Sequence, residues 1–102
     1  MAYIKGALLN KVFKELPPEE QTELIKRGAF FRLTELKERL DIANLRIREF
    51  EKKYRTTFSE LSKKGLSENA SHEIHEDFIE WMHWIKVSQE TDRIIKKINK
   101  II

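Results

Sequence analysis

Between Ala29 and Tyr54, apolar residues recur at alternating intervals of four and three: Ala29, Leu33, Leu36, Leu40, Ala43, Ile47, Phe50 and Tyr54. This spacing draws one stripe along a helix, the a/d pattern by which two helices seal against each other. Little in the chain interrupts such a helix, because 102 residues include only three glycines and two prolines, adjacent at Pro17 and Pro18. With so few turn formers, long helices follow. In Leu16-Pro17-Pro18-Glu19-Glu20, proline suits a first helical turn and the acids complement the positive end of the helix dipole. A long helix is therefore expected over 18–54. Outside the seam, Glu23/Arg27, Glu35/Arg39 and Glu49/Lys53 set acid before base at i, i+4, which marks a solvated face.

Thr57-Phe58-Ser59-Glu60 has the form of a capping box and predicts a short helical turn over 57–64. Gly65 can end it as C′ of a Schellman motif, with Leu61 and Leu66 at the two positions whose contact accompanies that motif. Ser67 or Ser71 can then cap a last helix over 71–100. One seam of that helix runs through Ile74, Phe78, Trp81, Ile85 and Ser88 to Ile95 and Ile102. An adjacent seam runs through Trp84, Val87, Thr91, Ile94, Ile98 and Ile101. Together they make an apolar face wider than one partner helix covers. Leu8, Leu9, Val12, Phe13 and Leu16 have helical spacing too, so a short helix over 5–16 is expected to cover part of that face and self-association or a partner the rest.

The expected architecture is one all-α domain spanning 1–102, a long antiparallel helical hairpin with a short N-terminal helix, coiled-coil or four-helix-bundle-like and dimeric. Charge order favours the antiparallel arrangement. The first long helix is acidic at its start (Glu19, Glu20, Glu23) and basic at its end; the last is acidic at its start and basic at its end (Arg93, Lys96, Lys97, Lys100). Folding back sets unlike charges side by side, although each helix also matches its own dipole.

Composition narrows the function classes. Lys plus Arg outnumber Asp plus Glu by only 20 to 17. Nucleic acid is therefore disfavoured as a partner, because acids sit between the basic clusters. No apolar run approaches the roughly 20 residues that cross a bilayer. The absence of cysteine fits a cytoplasmic chain, and the Met1–Lys14 stretch lacks the cleavage site of a signal peptide. Glu80-x-x-His83, near His72, His75 and Glu76, imitates half of a di-metal site, but a second Glu-x-x-His is missing, so no metal or other cofactor is expected. No glycine-framed serine or phosphate loop is present, and an enzyme is not expected.

What remains is a protein-binding module. Trp81 falls on the main seam and reads as core. Trp84, at the edge, is a residue type that often anchors interfaces. Glu76 and Glu80, like charges at i, i+4, would be relieved by a basic partner surface. Residues Phe50-Glu51-Lys52-Lys53-Tyr54-Arg55-Thr56-Thr57-Phe58-Ser59-Glu60-Leu61 and His75-Glu76-Asp77-Phe78-Ile79-Glu80-Trp81-Met82-His83-Trp84 resemble small helical antitoxins of type II toxin-antitoxin pairs. In that group a Lys-Tyr-Gly turn precedes a helix carrying Glu-Asp-aromatic-x-x-Trp. The resemblance spans about Leu36 to Ile95, with Arg55 where the group has glycine and no DNA-binding segment in view. It implies a chain that wraps and silences a partner toxin; the expected form is a homodimer that binds the toxin through exposed apolar and acidic residues of its last helix, with Glu76, Glu80 and Trp84 as contacts. The alternatives are a self-associating helical scaffold and, behind it, a nucleic-acid-binding module.

Overall fold

The computed structural model describes residues 5–102; the first four, at the head of the Met1–Lys14 stretch, lie outside the described residues. The described residues form α1 (Gly6–Glu15), α2 (Pro18–Tyr54), α3 (Phe58–Lys64) and α4 (His72–Asn99), with no strand among them. Proline stands at the first position of α2 and Glu19 and Glu20 fill its first turn, as the dipole favours. The extensive packing between elements is that of α2 on α4. Their pairing is antiparallel: Lys53 meets Asp77, Asn44 meets Ser88, and Leu36 shares a cluster with Ile95. The result is a rod of 63 × 30 × 21 Å whose radius of gyration is 20.2 Å. A compact chain of this length would have about 13 Å.

Two different cores lie along the rod. Towards the connector the core is aromatic, with fully buried Trp81 stacked on Phe50 and Tyr54 at 5.6 and 5.9 Å and meeting Phe58 edge-on at 5.6 Å. Towards the open end it is aliphatic, with Leu33, Leu36 and Ile95 buried and Leu40, Ile94 and Ile98 packed around them. Between the two, Ala43 is fully buried, and the Ser88 hydroxyl donates to the Asn44 side-chain oxygen at 3.0 Å. A single polar pair in an apolar seam favours one helix register over its neighbours.

The connector is ordered by its own hydrogen bonds. The Thr57 hydroxyl caps α3 by accepting from the Glu60 N–H at 3.2 Å. Only half of the expected capping box forms, because the Glu60 carboxylate accepts from the Thr56 hydroxyl at 2.9 Å instead of returning to the Thr57 backbone. Gly65 ends α3 with a single bond from its N–H to the Leu61 carbonyl, in place of the Schellman pair. Its φ of 71° with ψ of 168° turns the chain directly into extended structure. Ser71, not Ser67, caps α4 by accepting from the Ile74 N–H.

Arg55 ends α2 in the left-handed region, at φ 54° and ψ 37°. A side chain there brings Cβ against the following carbonyl at a cost of about 1–2 kcal/mol, which glycine avoids at some loss of unfolded-state order. Arg55→Gly is therefore expected to stabilise the fold by about 1 kcal/mol, read as a rise of several degrees in melting temperature. An unchanged or lower melting temperature would mean that the Arg55 side chain contributes more than its backbone costs.

Three expectations need correction. The second seam of α4 is largely covered by the hairpin itself: Thr91 is fully buried, and Trp84, Val87, Ile94 and Ile98 are half-buried, while Ile101 at its end is exposed. α1 does not cover the hairpin: none of its residues is buried, and Leu8, Leu9 and Val12 stay about half exposed. The reason is axial offset. Extending the Leu36–Ile95 and Asn44–Ser88 pairing places Asn99, the last residue of α4, abreast of about Arg32. About the first fourteen residues of α2, roughly 21 Å of helix, thus run past α4, and α1 joins beyond them. The same offset leaves Glu19, Glu20 and Glu23 ahead of the basic end of α4. Among the described residues, the ion pairs between helices are those of Lys53 at the connector end.

Candidate partner-binding site

The residues that carry the antitoxin resemblance meet at the connector end, where they close the hairpin. Lys53 Nζ lies 2.6 Å from Asp77 Oδ2 and 2.8 Å from Glu73 Oε1, and the Tyr54 hydroxyl donates to the same Asp77 oxygen at 2.5 Å. Phe58 stacks on Phe78 at 5.0 Å and joins Phe50 and Tyr54 around Trp81. Lys53 thus reaches across the hairpin instead of pairing with Glu49, which binds Arg46. Glu35 likewise takes Arg32 rather than Arg39, whereas Glu23–Arg27 forms at 3.0 Å as the spacing predicts.

This cluster makes stability depend on pH in a stated direction. The hydrogen bond from Lys53, then that from Tyr54, holds the Asp77 carboxyl below its ordinary value, against the opposing effect of its partial burial. Hydrogen bonds to Asp77 and Glu73 raise Lys53, and burial followed by the bond to Asp77 raises Tyr54. A depressed carboxyl contributes stability above its unfolded value of about 4 and loses it as pH falls through the lower folded value. A raised lysine or tyrosine contributes below its unfolded value of about 10 and loses it as pH rises through the folded one. Asp77→Asn is expected to melt lower than the wild type at pH 7, with the gap closing as pH falls below about 4, the unfolded value. A gap that persists once Asp77 is protonated in both states would mean that shape, not charge, makes Asp77 matter.

Glu76, Glu80 and Trp84 stand one helical turn apart along α4, the two glutamates exposed and Trp84 at the edge of the seam, half-buried against α2. The Glu76 carboxylate is exposed and lies 2.8 Å from His72 Nε2. Glu80 is exposed and has no ion pair among the described residues. Trp84 is half-buried, its indole N–H shielded from solvent without an acceptor, so the part it shows outward is ring carbon. His83 meets that ring edge-on at 5.0 Å. Trp84 also walls a shallow groove shared with Arg32, Glu35, Glu38, Arg39 and the half-exposed Ile42. Ile79, three residues after Glu76, is 62% exposed. It escaped the sequence reading because it lies off both seams; its position beside two glutamates on the outer face was the available signal.

Most exposed apolar residues lie elsewhere. Leu8, Leu9, Val12, Leu24, Ile25, Phe30, Phe31, Ile101 and Ile102 cluster at the open end, with Phe30 71% and Phe31 68% exposed. Among the described residues, no three His, Asp or Glu side chains converge as a metal site requires, and no helix is long and apolar enough to cross a membrane. Fold and surface define an all-α hairpin protein with unshielded apolar patches at one end and along one flank. No family model matches the chain, and neither does any curated protein or solved structure.

Proposed function

We propose that this chain is a cytoplasmic protein-binding module of the antitoxin type, which neutralises a partner toxin by covering it and acts as a homodimer. The observation that carries the reading is an inversion of the usual apolar distribution. Among the described residues, twelve large apolar side chains are exposed and only six apolar residues are buried. Contiguous exposed apolar surface of this kind marks interaction sites on soluble chains. The antitoxin part rests on the resemblance of residues 50–61 and 75–84. The toxin-contacting surface is the outer side of α4, where Trp84 and Ile79 supply apolar anchors and Glu76 and Glu80 meet basic groups of the toxin.

The test is co-expression with the product of the adjacent reading frame. That product is expected to arrest growth alone, to be relieved by this chain, and to elute with it in a fixed ratio. Glu80→Lys with Trp84→Ala is expected to abolish the relief while the helical circular dichroism spectrum is retained. A harmless neighbour, or an arrest that this chain does not relieve, sinks the proposal.

A further inference from the structure

The open end is built as a step. α2 runs about fourteen residues past the end of α4, and this overhang is acidic at its tip, with Glu19 and Glu20 free of ion pairs among the described residues. The α4 end that it overshoots is basic. Lys97 and Lys100 lie in or beside its last turn and also have no ion pair among the described residues, whereas Lys96 and Arg93 are taken by Asp92 and Glu90. Unlike charges that the sequence places on the two helices therefore do not meet within one chain. Exposed apolar residues lie along this end of the molecule: Leu24 and Ile25 on the overhang, Phe30 and Phe31 at the step, and Ile101 and Ile102 past the end of α4. Ile102 lines one groove together with Phe30 and Phe31.

We propose that the step is the dimer surface, filled by the same step of a second copy rotated about a two-fold axis. This rests on the homodimer reading above and names its interface. Two such overhangs laid antiparallel each occupy the place beside α2 that the other's α4 leaves empty. The acidic, dipole-positive tip of each α2 then reaches the basic, dipole-negative end of the other copy's α4. Both halves of the contact come from one surface, which is what an isologous interface requires. The area agrees. The chain exposes 8416 Å² at 12.2 kDa, whereas a compact monomer of that mass exposes about 6,000 Å². The difference exceeds about 2,000 Å², within the roughly 1,000–2,500 Å² that each subunit of an obligate dimer buries. α1, joined at the tip, is carried onto the other copy, where Leu8, Leu9 and Val12 gain the cover that their own hairpin does not supply.

The test is a charge swap read by light scattering at low ionic strength, with circular dichroism as the check on folding. Glu19→Lys/Glu20→Lys puts like charge at both junctions, and so does Lys97→Glu/Lys100→Glu. Each is expected to weaken the dimer at least about tenfold. Mixing the two variants restores unlike charge at both junctions, so a heterodimer of wild-type strength is expected. A wild type that stays monomeric overturns the homodimer reading and this proposal together. A wild-type dimer that neither variant weakens, or two weakened variants that do not rescue each other, overturns the step alone. Growth relief by a wild-type chain leaves both of those outcomes distinguishable, since toxin contact is assigned to the outer side of α4.

Discussion

Replacing Trp81 with alanine lowers the unfolding free energy by about 3–5 kcal/mol, enough to take most of the stability of a domain this size. Trp81 is fully buried, and three rings lean on it from three directions: Phe50 and Tyr54 from α2 and Phe58 from α3. Removing it opens a cavity at the one place where the connector, α2 and α4 all meet. The helices are too long and their backbones too regular to collapse into it. Trp81→Phe separates volume from polarity. The indole N–H of Trp81 is buried without an acceptor, a defect worth about 1–3 kcal/mol. Phenylalanine loses ring volume but also removes that donor, so the two effects offset and the net cost is expected to stay below about 1.5 kcal/mol. Chemical denaturation of the two variants reads both numbers. If phenylalanine costs as much as alanine, the N–H has a hydrogen-bond partner, such as a trapped water, that stabilises the native state.

The all-helical class was legible because three kinds of signal agree over the same residues: heptad spacing from Ala29 to Tyr54, the scarcity of glycine and proline, and caps at Pro18, Thr57 and Ser71. Phase is what heptad spacing encodes, and Trp81 reads as core for that reason. Axial offset is a different quantity. A seam reads the same when one helix slides along the other by a heptad, so α2 and α4 could be seen to pair without showing where α4 would run out. That offset follows from the connector, from Lys53 reaching Asp77 and from the Asn44–Ser88 bond, contacts between residues at least 23 positions apart. Once the offset is known, the fate of α1 and of Glu19 and Glu20 follows, and both had been placed beside α4. The partner surface was legible only in part for a related reason. Residue type alone points to Trp84, Glu76 and Glu80, but whether Ile79, Phe30 or Phe31 is covered depends on what three-dimensional neighbours lie over them.

Lys53, Tyr54, Asp77, Phe78 and Trp81 form a clasp at the connector end, so the residues quoted for the resemblance are the ones that close this hairpin.

Leu36→Ala is expected to cost about 2–5 kcal/mol, but to spread that loss unevenly along the rod. Leu36 is fully buried and centres the aliphatic core with Leu33 and Ile95. The aromatic core lies about four helical turns from Leu36, across Ala43, the Asn44–Ser88 hydrogen bond and half-buried Ile47, Trp84 and Val87, with no fully buried large side chain among them. Local openings follow such divisions. Hydrogen exchange in the variant should therefore lose protection over residues 29–40 and 91–98 while the amides around Trp81 keep most of theirs. Uniform loss over both helices would show instead that the hairpin opens as a single unit. The uneven outcome bears on assembly, because the weaker half is the half that carries the step. A chain whose open end is marginal alone gains stability when a second copy binds there, by mass action on the folded form. In Leu36→Ala, protection at residues 29–40 should then rise with protein concentration, and it should fail to do so in Glu19→Lys/Glu20→Lys/Leu36→Ala, where the step no longer takes its mate.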